Sequence, residues 1–502
     1  MKNGVQLITY ADRFGGTIAD QQKMVQEVFG DAVTGVHILP FFTPFDGEDA
    51  GFDPIDHTEV DPRLGSWADL GKYAENYDLM ADTIVNHMST DSKEFEDFRK
   101  NGVESEYADL FLTLSSVFPD GATEEDLAKI YRPRPGLPFT PVKIAGENRL
   151  IWTTFTSKQA DIDLQSEVGL AYLTRILDSL SDSGVTSVRL DAAGYAAKTP
   201  GTSCFMTPDT ERLMDEIADL AHDRGMRVLA EVHSYYKDQI DLAKKFDLVY
   251  DFALPPLLLY SEFTGDARPL AEWLEVRPTN AVTVLDTHDG IGIIDVGPSA
   301  EDEPQPGLLT PKQLDELVEG IHERSKGESR KATGAAASNL DLYQVNCTYF
   351  SALGDDVPRY LQTRAVQFFT PGVPQVYYVG AMLGTNDMEL LASSGVGRDI
   401  NRATYTAEQV REVAASPGGQ ALLALMWLRS NHPAFQGDFS FERDGDSTID
   451  MHWANGEAEA SLEADFETGS SVLSWSLVTG GTRSVDRLED LTLDLVRDAD
   501  GS

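Results

Sequence analysis

Eight short apolar runs, at residues 5–10, 35–41, 79–87, 187–195, 227–233, 248–253, 281–288 and 373–380, punctuate the chain, with longer segments of helical periodicity between them. Runs rich in Val, Ile, Leu and Tyr are what parallel strands buried on both faces require. The intervening segments have legible ends. Over 166–184, Val168, Tyr172, Leu173, Ile176, Leu177 and Leu180 share one helical face, with Ser166 placed to cap and Gly184 to stop. Over 207–225, Thr207 caps, Pro208 suits the first turn, and Leu213, Met214, Ile217, Leu220 and Ala221 form the stripe. Helices are also predicted at 17–29, 66–77, 238–246, 269–276, 360–369 and 419–429. Eight strand–helix units predict an α/β fold closed into a (β/α)8 TIM barrel. An open doubly wound sheet is the competitor, but no GxGxxG phosphate loop follows the first run.

Two stretches are too long to be ordinary connections. Residues 88–165, with the Pro/Gly-rich segment 131–139, are expected to form an inserted domain after the third strand. Residues 291–354, after the seventh strand, are expected to form an inserted loop domain. Its small-residue run Gly334-Ala335-Ala336-Ala337-Ser338-Asn339 suggests a mobile loop over the site. The barrel then takes 1–87, 166–290 and 355–435. From 436 to 502 the pattern shifts to period two, as in Ile449, Met451 and Trp453 and again in Val472, Leu473, Trp475 and Leu477, predicting a C-terminal antiparallel β domain.

With 83 acidic against 40 basic residues and a formal charge of −43, the chain repels nucleic acid and anionic membrane, so neither is an expected partner. The acid excess reads as a solvated surface that favours solubility and suits high salt. Cys204 and Cys347 show no metal-type spacing and no disulfide framework. No run reaches the roughly 18 apolar residues of a membrane span. With no signal-type run ahead of Val5, a cytoplasmic location is expected.

Polar residues gather where strands should end: Asp82 to His87 on the third, Arg189 and Asp191 on the fourth, Glu231 and His233 on the fifth, and Asp286 to Asp289 on the seventh. In a parallel barrel these ends form one rim, where groups from different strands converge. Residues two apart on a strand share a face, so Arg189 should point with Asp191 and Glu231 with His233. One acid at a strand end commonly begins a turn. A rim with three carboxylates, an arginine and three histidines is better explained by chemistry, because buried charge is costly unless paired or used.

The segments Asp82-Thr83-Ile84-Val85-Asn86-His87, Val188-Arg189-Leu190-Asp191, Leu229-Ala230-Glu231-Val232 and Leu285-Asp286-Thr287-His288-Asp289 resemble the four signature regions of the α-amylase superfamily of glycoside hydrolases, in the same order. The chain departs from ordinary amylases at Gly194 and Tyr195, where Lys and His are common, and at Thr287, where Asn is common. Together with segments 35–42, 49–57, 131–139, 340–346 and 397–402, these departures make it similar to the sucrose phosphorylase family.

The resemblance implies Asp191 as nucleophile, Glu231 as general acid/base and Asp289 as transition-state stabiliser. Asp49, His87, Arg189, His288, Asp289 and Arg398 would hold glucose, with Phe52 and Phe155 as apolar walls. Arg134 and His233 would meet phosphate, Tyr195 and Tyr343 would offer hydroxyls, and Asp341, Leu342, Tyr343 and Gln344 would form a loop serving fructose and phosphate in turn. Arg189 should favour ionised Asp191, and neighbouring carboxylates should favour protonated Glu231. The implied reaction is retaining phosphorolysis of sucrose to α-glucose 1-phosphate and fructose through a β-glucosyl ester on Asp191, reversible and open to other acceptors. No cofactor or metal is required, and no acidic loop has calcium-site spacing, leaving Asn86 and Asp82 as candidates only for a structural site. The family leaves room for a homodimer. Three alternatives stand beside this expectation. One is a phosphorylase of another α-glucoside, such as sucrose 6′-phosphate, glucosylglycerate or glucosylglycerol. The others are a retaining α-glucoside hydrolase and a catalytically silent sugar-binding barrel.

Overall fold

Each of the eight apolar runs contributes a strand in the computed structural model, which describes residues 3–131, 136–299, 303–333 and 344–497. The strands are β1 Gln6–Thr9, β2 Gly35–Ile38, β3 Asp78–Ile84, β4 Val185–Asp191, β5 Arg227–Ala230, β6 Leu248–Asp251, β7 Ala281–Thr283 and β8 Val373–Tyr377. They pair in parallel in chain order and close from β8 back onto β1, so the sheet has no free edge. Closure sets Gln6 beside Gln375, whose amide Nε2 donates to Gln6 Oε1 at 2.9 Å.

The outer ring consists of α1 Ile18–Val28, α2 Trp67–Ala74, α3 Glu167–Asp182, α4 Pro208–His222, α5 Tyr236–Leu242, α6 Arg268–Val276, α7 Val357–Phe369 and α8 Pro417–Asn431. Ser166 Oγ accepts from Gly169 N at 3.0 Å, and Thr207 Oγ1 accepts from Thr210 N at 3.2 Å, so the side chains placed to cap α3 and α4 satisfy amides of the first turn. A further helix, Leu254–Thr264, follows β6 and was not predicted. Its residues from Leu254 to Glu262 are all buried, and a helix buried on every side presents no apolar stripe.

Between β3 and α3 the chain forms helix Lys93–Asn101 and a hairpin, Phe139–Ile144 with Glu147–Trp152. A separate apolar cluster of Leu112, Val117, Phe118, Trp152 and Cys204 lies under this region. Strand Gln159–Asp161 then returns to pair with His87–Ser89, tying the insertion to the rim. Between β7 and α7 the stretch is more regular than a loop. Thr310 caps helix Pro311–Arg324 in a reciprocal box with Gln313, and a second helix runs over Glu328–Thr333. The run Gly334–Asn339 lies outside the described residues.

The C-terminal sheet is antiparallel in the order β9 Asp438–Asp444, β10 Thr448–Asn455, β11 Ala458–Asp465, β12 Ser470–Ser476, β13 Thr482–Val485. Ile449, Met451, Trp453, Leu462, Leu473 and Trp475 form its buried face, while Val472 belongs to the exposed one. The sheet docks on α7: Trp453 Nε1 donates to Phe369 O at 2.7 Å, and Gln362 Nε2 reaches Asp465 O and Ser470 O, each at 3.1 Å. Both cysteines are buried free thiols. Among the described residues no helix is long and apolar enough to cross a membrane.

Candidate active site

The rim is organised around one guanidinium. Arg189 on β4 is 2% exposed, and register sets it beside Asp82 of β3. Its Nη1 donates to Asp82 Oδ1 at 2.5 Å and to Asp191 Oδ1 at 2.9 Å, and its Nη2 stands 3.5 Å from Glu231 Oε1. Asp82 is held from behind by His37 Nε2 at 3.0 Å. Arg189 and Asp191 share a face because they are two apart on one strand. Glu231 and His233 lie just past β5 and still face together, 3.8 Å apart.

After Asp191 the chain turns through Ala192 in the left-handed region, φ 55°, where a residue with a Cβ is disfavoured. That turn lets Ala192 N donate to Glu231 Oε2 at 3.2 Å. Opposite, Asp289 receives Arg398 Nη1 at 3.0 Å and has His288 Nε2 at 3.8 Å. Single atoms of Glu231, His233 and Asp289 lie within 4.8 Å of one another. A small cation would fit that spacing, but Arg189 and Arg398 already supply positive charge to the two carboxylates.

Burial pushes the Asp191 carboxyl well above the usual carboxylate range; Arg189 opposes the rise, while Glu231, Asp82 and Asp289 add to it. Arg189 thus favours the ionised form of Asp191, as expected, while burial and the neighbouring acids pull the other way. Asp191 and Glu231 face the same guanidinium. Asp289 behaves differently. Burial works against its charge, yet Arg398, Arg402 and Arg189 together hold its carboxyl far below the usual range. Burial lowers His288 to about 3, making it a neutral ring.

Aromatic rings shape the space around these acids. Phe52 stacks on His288 with centroids 4.7 Å apart and planes at 8°. His87 Nε2 lies 2.9 Å from Phe52 O and 3.1 Å from Gln159 Nε2. Phe155 meets His87 edge-on at 5.2 Å and Tyr195 at 5.3 Å, and Tyr195 lies parallel to Tyr131 at 6.2 Å. Asp49 lies on the loop that carries Phe52, its backbone N donating to Asp53 Oδ1 at 3.3 Å. Gln344 Nε2 reaches His233 Nε2 at 3.3 Å. The structure thus gathers Asp191, Glu231 and Asp289 with Asp49, Phe52, His87, Phe155, Arg189, Tyr195, His233, His288, Gln344 and Arg398. Arg134, Asp341, Leu342 and Tyr343 lie outside the described residues.

Other polar groups prove to be supports. Asp286, one of the rim acids, turns away from the site, and both its oxygens lie 2.7 Å from Arg364 Nη2 of α7. Arg402, not anticipated, donates from Nε to His288 O at 3.0 Å. Asn86 and Asp82 each face a built-in cation: Asp82 binds Arg189, and Asn86 Oδ1 accepts from Lys198 Nζ at 2.8 Å. The same ammonium lies 2.8 Å from the buried Asp161 and bonds Tyr195 O, so one lysine joins the insertion, the rim and the turn after β4. Lys198→Met is expected to strand the Asp161 carboxylate and destabilise the fold by about 3–5 kcal/mol. Chemical denaturation checks this, and a variant as stable as the parent would refute the linkage.

A family model described as "Alpha amylase, catalytic domain" matches residues 20–251. The chain is 54% identical over 495 residues to a sucrose phosphorylase of Bifidobacterium adolescentis, covering 97% of this chain and 98% of the relative. It is also 54% identical to a sucrose phosphorylase of Agrobacterium vitis, over 95% of this chain and 98% of that one. The crystal structure of a sucrose 6F-phosphate phosphorylase from Thermoanaerobacter thermosaccharolyticum superposes with a TM-score of 0.88 at 37% identity, covering 97% of this chain and 98% of that one.

Proposed function

The chain belongs to the sucrose phosphorylase family of the α-amylase superfamily, and from that premise we propose that it converts sucrose and inorganic phosphate to α-D-glucose 1-phosphate and D-fructose with retention. The observation that carries the mechanism is the shared guanidinium: Arg189 stands 2.9 Å from Asp191 and 3.5 Å from Glu231. Two carboxylates held by one fork suit the short separation of retaining enzymes, about 5–5.5 Å, better than the about 6.5–9.5 Å that inverting enzymes need to admit a water.

Asp191 attacks the anomeric carbon from the face opposite fructose, while Glu231 gives its proton to the departing fructose oxygen, forming a β-glucosyl ester. The reactive form carries the pair's proton on Glu231 and the charge on Asp191. Asp289, kept ionised by its arginines, stabilises the positive charge that develops on the sugar. Neutral His288 contacts sugar hydroxyls without adding charge, and Phe52, Phe155, His87, Asp49 and Arg398 complete the glucose subsite. Phosphate then attacks the ester and restores the α configuration.

The acceptor side lies between the insertion 88–165, which carries Arg134, and the segment 291–354, which carries Asp341, Leu342, Tyr343 and Gln344. Small, neutral or locally paired ligands suit a chain of charge −43 better than nucleic acid or anionic membrane. Two buried thiols accord with a cytoplasmic setting, and sedimentation tests the homodimer that the family leaves room for.

Incubation with sucrose, with and without phosphate, tests the reading. Phosphate-dependent glucose 1-phosphate together with fructose is the expected result. Free glucose alone would make the protein a hydrolase, and inertness toward sucrose with turnover of another α-glucoside would reassign the donor.

A further inference from the structure

His233 stands 3.8 Å from the acid/base, just beyond Arg189 at 3.5 Å, and the chain backs it from a segment that no motif touches. The short turn Ile294–Val296 after β7 places Asp295, fully buried, with Oδ2 3.0 Å from His233 Nδ1. The second oxygen of Asp295 receives Gln239 Nε2 of α5 at 3.0 Å, which fixes the carboxylate in turn. On the other side of the ring, Nε2 faces Glu231 Oε1 at 3.8 Å and the side-chain amide of Gln344 at 3.3 Å, which accepts from a protonated Nε2–H once its oxygen end is turned inward. Phe252 stacks on the imidazole with centroids 3.8 Å apart, and the charge of Asp289 also acts on it. Gly292 leaves room for the pair: a Cβ there would lie 2.4 Å from Asp295 Oδ2 and 3.5 Å from His233 Nδ1. This glycine is required for space, since its φ is not in the left-handed region.

We propose that Asp295 is a positioning residue for the acceptor half-reaction, holding the His233 ring by Nδ1–H so that an imidazolium Nε2–H faces the phosphate anion. The ring resembles a histidine whose tautomer and charge are set by the carboxylate behind it. Burial alone would make His233 a weaker base, but Asp295, with Glu231 and Asp289, outweighs burial and raises it above 6.5. The protonated form is thus favoured below that raised value and is lost as pH climbs through it. Phosphate binding should weaken along the same limb, because the cation that answers its charge disappears. Water and neutral acceptors make no such demand.

The proposal rests on the phosphorylase reading for its ligand, but not for the state of the ring. Asp295→Asn keeps the shape and removes the charge, while burial remains. In the full-length enzyme at pH 7, the KM for inorganic phosphate is expected to rise about tenfold or more, because a ring without its backing carboxylate gives up the proton that faces the anion. Glucose release from sucrose without phosphate should stay within about twofold, the split expected of a group that acts on the anion and not on ester formation. NMR titration of the His233 imidazole, assigned by loss of its signal in His233→Asn, should show a value above 6.5 in the parent and a lower one in Asp295→Asn. A parent His233 that titrates below 6.5 overturns the proposal even if the variant fails to fold. So does an Asp295→Asn enzyme with an unchanged phosphate KM, or one whose hydrolysis falls as far as its phosphorolysis. A parent enzyme that makes no glucose 1-phosphate from any donor would instead remove the functional premise and leave the NMR shift standing.

Discussion

Asp191→Ala should lower sucrose turnover by at least about 10,000-fold, the loss expected when the nucleophile of a covalent mechanism is removed and only binding and electrostatic positioning remain. The fold should survive the change. Partial burial and the neighbouring Glu231, Asp82 and Asp289 all disfavour a charge at Asp191, so its removal relieves that strain while Arg189 keeps Asp82 at 2.5 Å. Melting at or above the parent's temperature, with turnover abolished, would separate chemical role from structural role. The cavity left by the carboxylate also predicts a rescue. Azide entering that space attacks the anomeric carbon from the same face, Glu231 protonates fructose, and the product is β-glucosyl azide with inverted configuration. Turnover that survives in Asp191→Ala without added azide would sink the double displacement.

The barrel was legible because its constraint is repetitive. Strands buried on both faces must be apolar throughout, and eight such runs alternate with amphipathic helices whose stripes face them. Their ends were less legible, since burial and backbone pairing stop at different places. β7 ends at Thr283, yet Val284 and Leu285 remain buried as the chain turns into the rim. Helix Leu254–Thr264 escaped notice for the related reason that burial on every side erases periodicity.

In the site, residues on strands could be read in advance, because strand number and the two-residue period place Arg189 with Asp191 on one rim. Supports that arrive from elsewhere could not. Asp295 meets His233 across 62 positions and Lys198 meets Asn86 across 112, and each is a single polar residue in an irregular segment. Nothing local distinguishes such a residue from a turn-forming one. Only a fold that brings the segments together shows that its charge is buried and therefore matched. The proton balance was also out of reach, because it depends on burial as much as on neighbours. Arg189 beside Asp191 suggested a pull toward the ionised form, whereas the opposing push from burial and three other acids shows only in the fold.

That balance bears directly on Glu231→Gln, whose effect should depend on the leaving group. With sucrose the departing fructose oxygen needs a proton, and loss of the general acid should cost about 100- to 10,000-fold. With α-glucosyl fluoride the leaving group departs without one, so Asp191 should still form its ester. Phosphate arrives as an anion and needs no base, so glucose 1-phosphate should still form from the fluoride, while transfer to fructose, which must lose a proton, should fail. The pH dependence should change with the same logic. In the parent the Asp191–Glu231 pair must keep one proton, so turnover of sucrose declines on the basic side as that proton leaves and on the acid side as a second one blocks the nucleophile. Glutamine does not titrate, so the basic decline should vanish in the fluoride reaction. Glu231 also adds to the rise of Asp191, and without it the Asp191 carboxyl should fall, extending the acid side to lower pH. Steady-state rates for both donors across pH test all of this, and a Glu231→Gln enzyme that handles sucrose and fluoride with equal losses would exclude Glu231 as the acid/base.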